Sequence, residues 1–469
     1  MKNKIILILT CMVLSISALA NVEMTVYNGG FALIKDSRNM DFKRGISNYE
    51  FPNVASLIEP QSVLFRSISD EYSIQILEQN YKYDLMNAQT ILNKLVGEKV
   101  ILEDDSEGTL ISAPGLAGNG LSAGVIVQKD DGNIVLYPKI KASKRMPNGL
   151  VAKPTLSWII DSKESKSHDV ELSYLTQGIS WNADYVCLVN SSDTKANIDG
   201  WVTLSNNSGT SFEDAKLSLI AGDVRRVYPA ARNMKFAGGM ASASMEMAKD
   251  NFVEDSFFEY HIYKLQRETT VSNNESKQIS LLSAANAGII KKLTFAPRLR
   301  DMYYISQYDR SSDGLGYATS TDYKINVVLE IDNSEKNNLG MPLPKGNVKV
   351  YKMDNDGSQQ FIGEDSIDHT PKDEKIRLSI GNAFDVTGEY KLTNYKRISS
   401  NTVEETYEVT IKNHKKEVAT VDFLENIWGD WKVTTDTKYT KLDARTISFP
   451  ITVESDGTGT ISYTIRTKY

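Results

Sequence analysis

Gln177–Asp223, QGISWNADYVCLVNSSDTKANIDGWVTLSNNSGTSFEDAKLSLIAGD, decides the fold class. Its apolar residues recur every second position rather than every third or fourth, the period of a half-buried strand. The pattern predicts strands at Ala183–Val189, Ile198–Asn206 and Ala215–Ala221. Around Trp201 it puts Val202 and Leu204 on one face and Trp201, Thr203 and Ser205 on the other. Gly178, Asn206–Gly209 and Gly222 punctuate the runs as turn residues do.

The same reading extends in both directions. Towards the N-terminus, Asn28-Gly29-Gly30 separates two strand-like runs and predicts a hairpin, with further runs at Ile46–Phe51, Ser62–Ser67 and Tyr72–Glu78. One helix is expected, over Tyr83–Val96, with Leu85, Ala88, Ile91, Leu92 and Leu95 on one face and Gly97 at its end. Short strands between Glu98 and Ile140 suggest a small barrel-like insert. Its Asp130-Asp131-Gly132 suits a type I′ turn, and its glycine-rich Pro114–Gly120 suits a loop. Towards the C-terminus, strands are expected at Phe257–Gln266, Lys277–Leu282, Lys291–Phe295, Met302–Ser306 and Tyr323–Asp332, with a hairpin turn at Asp354–Gly357. Tyr390–Tyr469 alternates at the spacing of a β-sandwich. The chain is therefore expected to be mainly β, several sandwich-like or barrel-like domains with one short helix.

Composition narrows the address. Met1–Ala20 has two lysines, an apolar run from Ile5 to Leu19 and the sequence Ala18-Leu19-Ala20, the layout of a secretory leader cut before Asn21. Cutting there removes Lys2 and Lys4 and no acid, so the formal charge of −7 becomes more negative. That balance argues against a nucleic-acid partner, whose binding is dominated by phosphate attraction. No later apolar run approaches bilayer length, so no integral span is expected after cleavage. Of the two cysteines only Cys187 follows the leader, in the apolar run Tyr185–Val189. It is expected to be a buried small hydrophobe, and no disulfide is available.

The expected organisation is a leader (1–20), an N-terminal β-domain (21–82), the helix and insert (83–145) and the first half of a central β-domain (146–228). A flexible Met/Ala/Gly linker (229–253), the rest of the central domain (254–388) and a C-terminal sandwich-like domain (389–469) follow.

Chemistry-bearing motifs are sparse. The best acid/base group is Asp365, Asp368, His369 and Glu374, where an imidazole stands among carboxylates, although an acidic turn into Thr370-Pro371 has the same composition. Asp354-Asn355-Asp356-Gly357 starts like a calcium loop, but Gln359 stands where such a loop needs glycine. No spacing of His or Cys supports zinc, and no nucleotide fingerprint or serine-hydrolase elbow occurs, so no cofactor or metal is expected. The 23 tyrosines, 14 phenylalanines and 5 tryptophans must mostly form core. Some of Trp181, Tyr185, Tyr260, Tyr263, Trp428 and Trp431 are also suited to a binding face.

Several long motifs carry a family likeness. Val26–Leu33, Gly178–Tyr185, Gly200–Gly209, Leu217–Asp223, Tyr260–Leu282, Leu339–Pro344 and Gly363–Pro371 occur in order, followed by Ala383-Phe384-Asp385-Val386. In these the chain resembles the bacterial family classed as domain of unknown function 4139, distantly related to mucoidy-inhibitor-like proteins but without their coiled-coil insert. The resemblance implies an exported protein and transfers no catalytic residue. The expectation is a periplasmic or secreted cell-envelope protein, non-enzymatic, that binds an envelope protein or glycan through sheet edges and loops. The alternative is an envelope hydrolase acting on peptide or glycan with the Asp/His/Glu group above.

Overall fold

In the computed structural model, residues 21–83, 86–113, 115–116, 122–222, 224–226, 252–297 and 321–469 are described. The leader, nearly all of the 229–253 linker, the Met302–Ser306 strand and most of the Pro114–Gly120 loop lie outside these residues. The chain is mainly β, as its period-2 patterning predicts. The opening stretch forms Ile179–Val189, Lys195–Asn206 and Phe212–Ala221. Val202 and Leu204 are fully buried while Trp201, Thr203 and Ser205 are half-buried, so the two faces fall as the alternation requires.

The chain divides into two compact units. The first comprises residues up to Trp181, with Leu204–Arg226 and Ile262–Lys277. In it Asn21–Tyr27 pairs antiparallel with Phe31–Phe42 and parallel with Phe212–Ala221. Lys166–Gln177 follows on the other side of Phe31–Phe42. A second, three-stranded sheet sets Thr155–Ser162 between Gly45–Pro52 and Ile74–Lys82. Phe65 from the first sheet stacks on Trp158 from the second at 4.5 Å, so the apolar faces close on one another.

Local chemistry corrects three expectations in detail. The helix runs only from Ala88 to Lys94. Lys82 is held in strand pairing with Thr155, Met86 N–H bonds the Val151 carbonyl, and the Asn87 side chain caps the helix by accepting from Thr90 N at 2.9 Å. The Asp130–Gly132 turn is not type I′: Gly132 N–H bonds the Lys129 carbonyl, so Asp130 and Asp131 are the central residues, and neither has the positive φ that turn needs, which falls on Gly132 after them (84°). Phe257–Gln266 is two strands, Phe252–Phe257 and Tyr260–Leu265, because Phe258 adopts the left-handed region at φ 57°.

The second unit comprises Asn182–Thr203, Val227–His261 and Gln278–Tyr469. Ala183–Val189 runs parallel to Gly346–Lys352, which pairs with Gln359–Ile367. From Ile289–Thr294 the ladder continues antiparallel through Thr321–Asp332, Lys375–Ser399, Thr402–Asn413 and Thr458–Lys468. The domain boundary expected at 388/389 does not hold. Lys375–Ser399 is one strand across it, and Tyr390, Tyr407, Phe423, Phe449 and Tyr463 share a core with Phe295, Ile325 and Val386.

One device recurs three times. Val202-Thr203-Leu204-Ser205-Asn206, Leu329-Glu330-Ile331-Asp332-Asn333 and Val409-Thr410-Ile411-Lys412-Asn413 each lead two buried aliphatics to a fully buried asparagine at a strand end. Each amide nitrogen reaches two consecutive carbonyls of another segment: Val271 and Ser272, Thr370 and Pro371, Val453 and Glu454. It also bonds a carbonyl of its own return loop, at Thr210, Met341 or Glu417. Each amide oxygen accepts a loop N–H, from Ser208, Gly340 or Lys415. An aspartate of the same shape cannot donate and would set a charge against carbonyl oxygens. Asn413→Asp is therefore expected to cost about 3 kcal/mol or more of stability, read from the midpoint of urea unfolding, whereas Asn401→Asp at an exposed turn should cost far less.

Candidate functional site

The acid/base group singled out in the sequence lies on a connecting turn and its flanks. Asp365, in the Gln359–Ile367 strand, accepts from Ser379 N at 2.7 Å and Ser366 N at 2.8 Å. His369 Nδ1 accepts from Lys345 N at 3.2 Å, the Asp368 carbonyl accepts from Thr370 Oγ1, and the Glu374 carbonyl accepts from Asn333 N. Asp368, His369 and Glu374 are exposed. These bonds tie loops and strands, and none of the four residues lines the cleft described next. Among the described residues no three His, Cys, Asp or Glu side chains are grouped to hold a metal.

The cleft lies within the second unit and encloses about 270 Å³. Its floor follows from strand alternation: Leu293 stands two residues from Lys291, and Val327 two residues from Leu329, so each pair shares a face. Ile362 and Ile380 form a wall where two strands come close. A Cβ on Gly363 would sit 2.1 Å from the Ile380 carbonyl oxygen, so glycine is required at that crossing. The Asp365–Ser379 bond clips the same two strands together.

At one side a single carboxylate holds two ammonium groups. Asp193 Oδ2 meets Lys291 Nζ and Oδ1 meets Lys352 Nζ, both at 2.6 Å. The turn after Val189 places it: Asn190 Oδ1 accepts from Thr194 N and Lys195 N, and Asp193 takes φ 57°, a conformation aspartate tolerates better than most residues. Lys352 arrives because its strand pairs in parallel with Val189. Burial raises the Asp193 carboxyl, but the bonds from Lys291 and Lys352 outweigh it, and the net effect holds the group below the usual carboxylate range.

At the rim the ladder between Thr321–Asp332 and Lys375–Ser399 breaks. Lys324 pairs with Thr387 and Asn326 with Asn382, so Ala383, Phe384, Asp385 and Val386 stand against Ile325 alone. This is a large β-bulge, a device that re-aims side chains. Its flanks are pinned: Val386 is fully buried, Ala383 packs on the core, and the Asp385 carbonyl accepts from His414 N at 2.7 Å. Phe384 between them is 93% exposed. In the sequence Ala383–Val386 is one of the family-like motifs, and no local pattern marks its role, because a bulge depends on the partner strand's register. Asp193, Lys291 and Lys352, 61 to 159 residues apart, carry no local pattern at all.

The other singled-out groups fall into place more plainly. Cys187 is fully buried, and burial pushes its thiol up to about 12. Trp181, Tyr185 and Tyr263 are core, Tyr260 is half-buried, and Trp428 is 45% exposed beneath Arg445, whose guanidinium lies 4.0 Å from the ring centre. No helix among the described residues is long and apolar enough to cross a membrane.

Two outcomes test this geometry. Because the folded state holds the Asp193 carboxyl low, its contribution is complete above the unfolded group's titration and is lost as pH falls through the folded one. Stability of the chain should therefore drop below about pH 4, and Asp193→Asn should flatten part of that slope in urea titrations run across pH. Gly363→Ala should destabilise by about 2 kcal/mol, since backbone must give way at the cleft wall.

Comparison with protein-family models, curated proteins and solved structures found no match.

Proposed function

We propose that this chain is an exported, non-enzymatic binding protein of the bacterial cell envelope, and that its recognition element is the Ala383–Val386 bulge over the neighbouring cleft. The leader-like Met1–Ala20 supports export, and the resemblance to the domain of unknown function 4139 family supports the envelope address. One observation carries the binding reading: Phe384 is held 93% in water by flanks that are themselves locked. An exposed loop side chain that lay there by default would not need both neighbours fixed. A rigid aromatic beside an apolar cleft is the composition of a binding hot spot. The acid/base residues Asp365, Asp368, His369 and Glu374 instead make the loop ties described above, and none of them lines the cleft.

The test has two readouts. The chain produced with its own leader should appear in the extracytoplasmic fraction with Asn21 at its N-terminus. Tagged protein should retain a component of envelope extract, and Phe384→Ser should cut that retention about tenfold without changing the unfolding midpoint. Equal retention by Phe384→Ser would remove the recognition role from the bulge.

A further inference from the structure

The chemistry of the cleft narrows what it takes, on the premise that it is the recognition element. Lys291 and Lys352 face one side of it against the single carboxylate of Asp193, while Lys415, which lines it near Asp385, meets Glu417 at 3.8 Å. The side therefore carries a surplus positive charge. Both oxygens of Asp193 are engaged, one by each ammonium, whereas an ammonium has three donors. Lys291 and Lys352, each about one-third exposed, thus keep donors for an incoming anion, and the aspartate between them fixes their spacing. Beside the charge lie the aliphatic floor of Leu293, Val327 and Leu329 and the wall of Ile362 and Ile380. A ligand that fits must combine one anionic group with an apolar body.

Size decides between a whole small molecule and the end of a longer one. At about 270 Å³ the cleft falls below the roughly 300–1,000 Å³ of sites that enclose a complete ligand. Phe384 lines the cleft at its rim and is 93% exposed, so a ligand that covers the ring also extends toward solvent. Phosphate-rich polymers fit poorly, because a single surplus charge beside an aliphatic floor does not match a repeating anion.

We infer that the cleft binds the carboxyl-terminal residue of a polypeptide, its free carboxylate on Lys291 and Lys352, its apolar side chain on the aliphatic floor, and the preceding residue against Phe384.

Fluorescence anisotropy of the full chain with fluorescein-labelled hexapeptides ending in leucine tests this. The free-acid peptide should bind at least about tenfold more tightly than its C-terminal amide, and more tightly than a peptide ending in aspartate. Lys352→Gln should weaken the acid by a similar factor and leave the amide unchanged, while Lys352→Arg, which keeps the charge, should recover most of the loss. Phe384→Ser, at an exposed position that does not threaten folding, should weaken both peptides. Equal binding of acid and amide, or no binding of either, would overturn the proposal. So would hexanoate displacing the peptide at equal concentration, since that assigns the cleft to free short-chain acids. If peptides fail while Phe384→Ser still abolishes retention from envelope extract, the ligand class falls and the recognition role stands. If retention is also unchanged, both fall.

Discussion

A buried asparagine at a strand end, with its amide spread over three carbonyls and one N–H, is the interaction on which the rest of this structure depends. Long strands must stop and turn without leaving backbone groups dry and unbonded, and among the described residues the one cysteine, Cys187, is free. Asn206, Asn333 and Asn413 solve that problem in the same way, each fully buried and each joining its own return loop to two consecutive carbonyls of another segment. The amide suits the task because it both donates and accepts at one point, where a water molecule would cost order and a charge would cost desolvation.

Two of the three locks bear directly on the cleft. Asn413 pairs across the ladder with Val386, and the next residue, His414, donates its backbone N–H to the Asp385 carbonyl. The bulge is thus fastened to the strand end that Asn413 fixes. Asn333 terminates the strand that carries Val327 and Leu329, and it draws in Thr370 and Pro371 from the turn holding Asp368 and His369. The residues that looked most catalytic are part of this fastening, and the chemistry-bearing side chains of the cleft come from elsewhere. Electrostatics follows the same plan. Glu171 is held by Lys35 and Arg66, and Glu330 by Lys292, Lys375 and Arg377, each carboxyl lowered overall because those bonds outweigh burial. Asp193 is built alike but faces a cleft, so its lysines are within reach of a ligand.

The sequence made the strands legible because burial on one face imposes a period of two, and Val202, Leu204 and Cys187 lie where that period puts them. It made the core legible only in composition: that Trp181 is interior and Trp428 half-exposed depends on which strands become neighbours. Domain boundaries were poorly legible for the same reason, since Phe295 and Phe423 meet across more than a hundred residues. The repeat ending at Asn206, Asn333 and Asn413 was readable in principle as aliphatic-x-aliphatic-x-Asn, but its meaning lies in distant carbonyls that no local pattern announces. The cleft was not readable, because Asp193, Lys291 and Lys352 converge only through parallel pairing of Ala183–Val189 with Gly346–Lys352 and through the strand that carries Lys291.

The exposure of Phe384 is informative because alternatives were cheap. Burying a phenylalanine side chain contributes about 1.5–3 kcal/mol, and Ala383 and Val386 on either side already reach the core. A regular ladder would have carried the aromatic ring inward or left a polar residue in its place. Instead, four residues stand opposite Ile325, one carbonyl is tied to His414, and the ring is held in solvent beside an aliphatic floor rimmed by lysines. The bulge forgoes ladder bonds as well as burial of this ring, a cost that the proposed recognition role would offset, because a rigidly presented aromatic loses little further freedom when a ligand covers it.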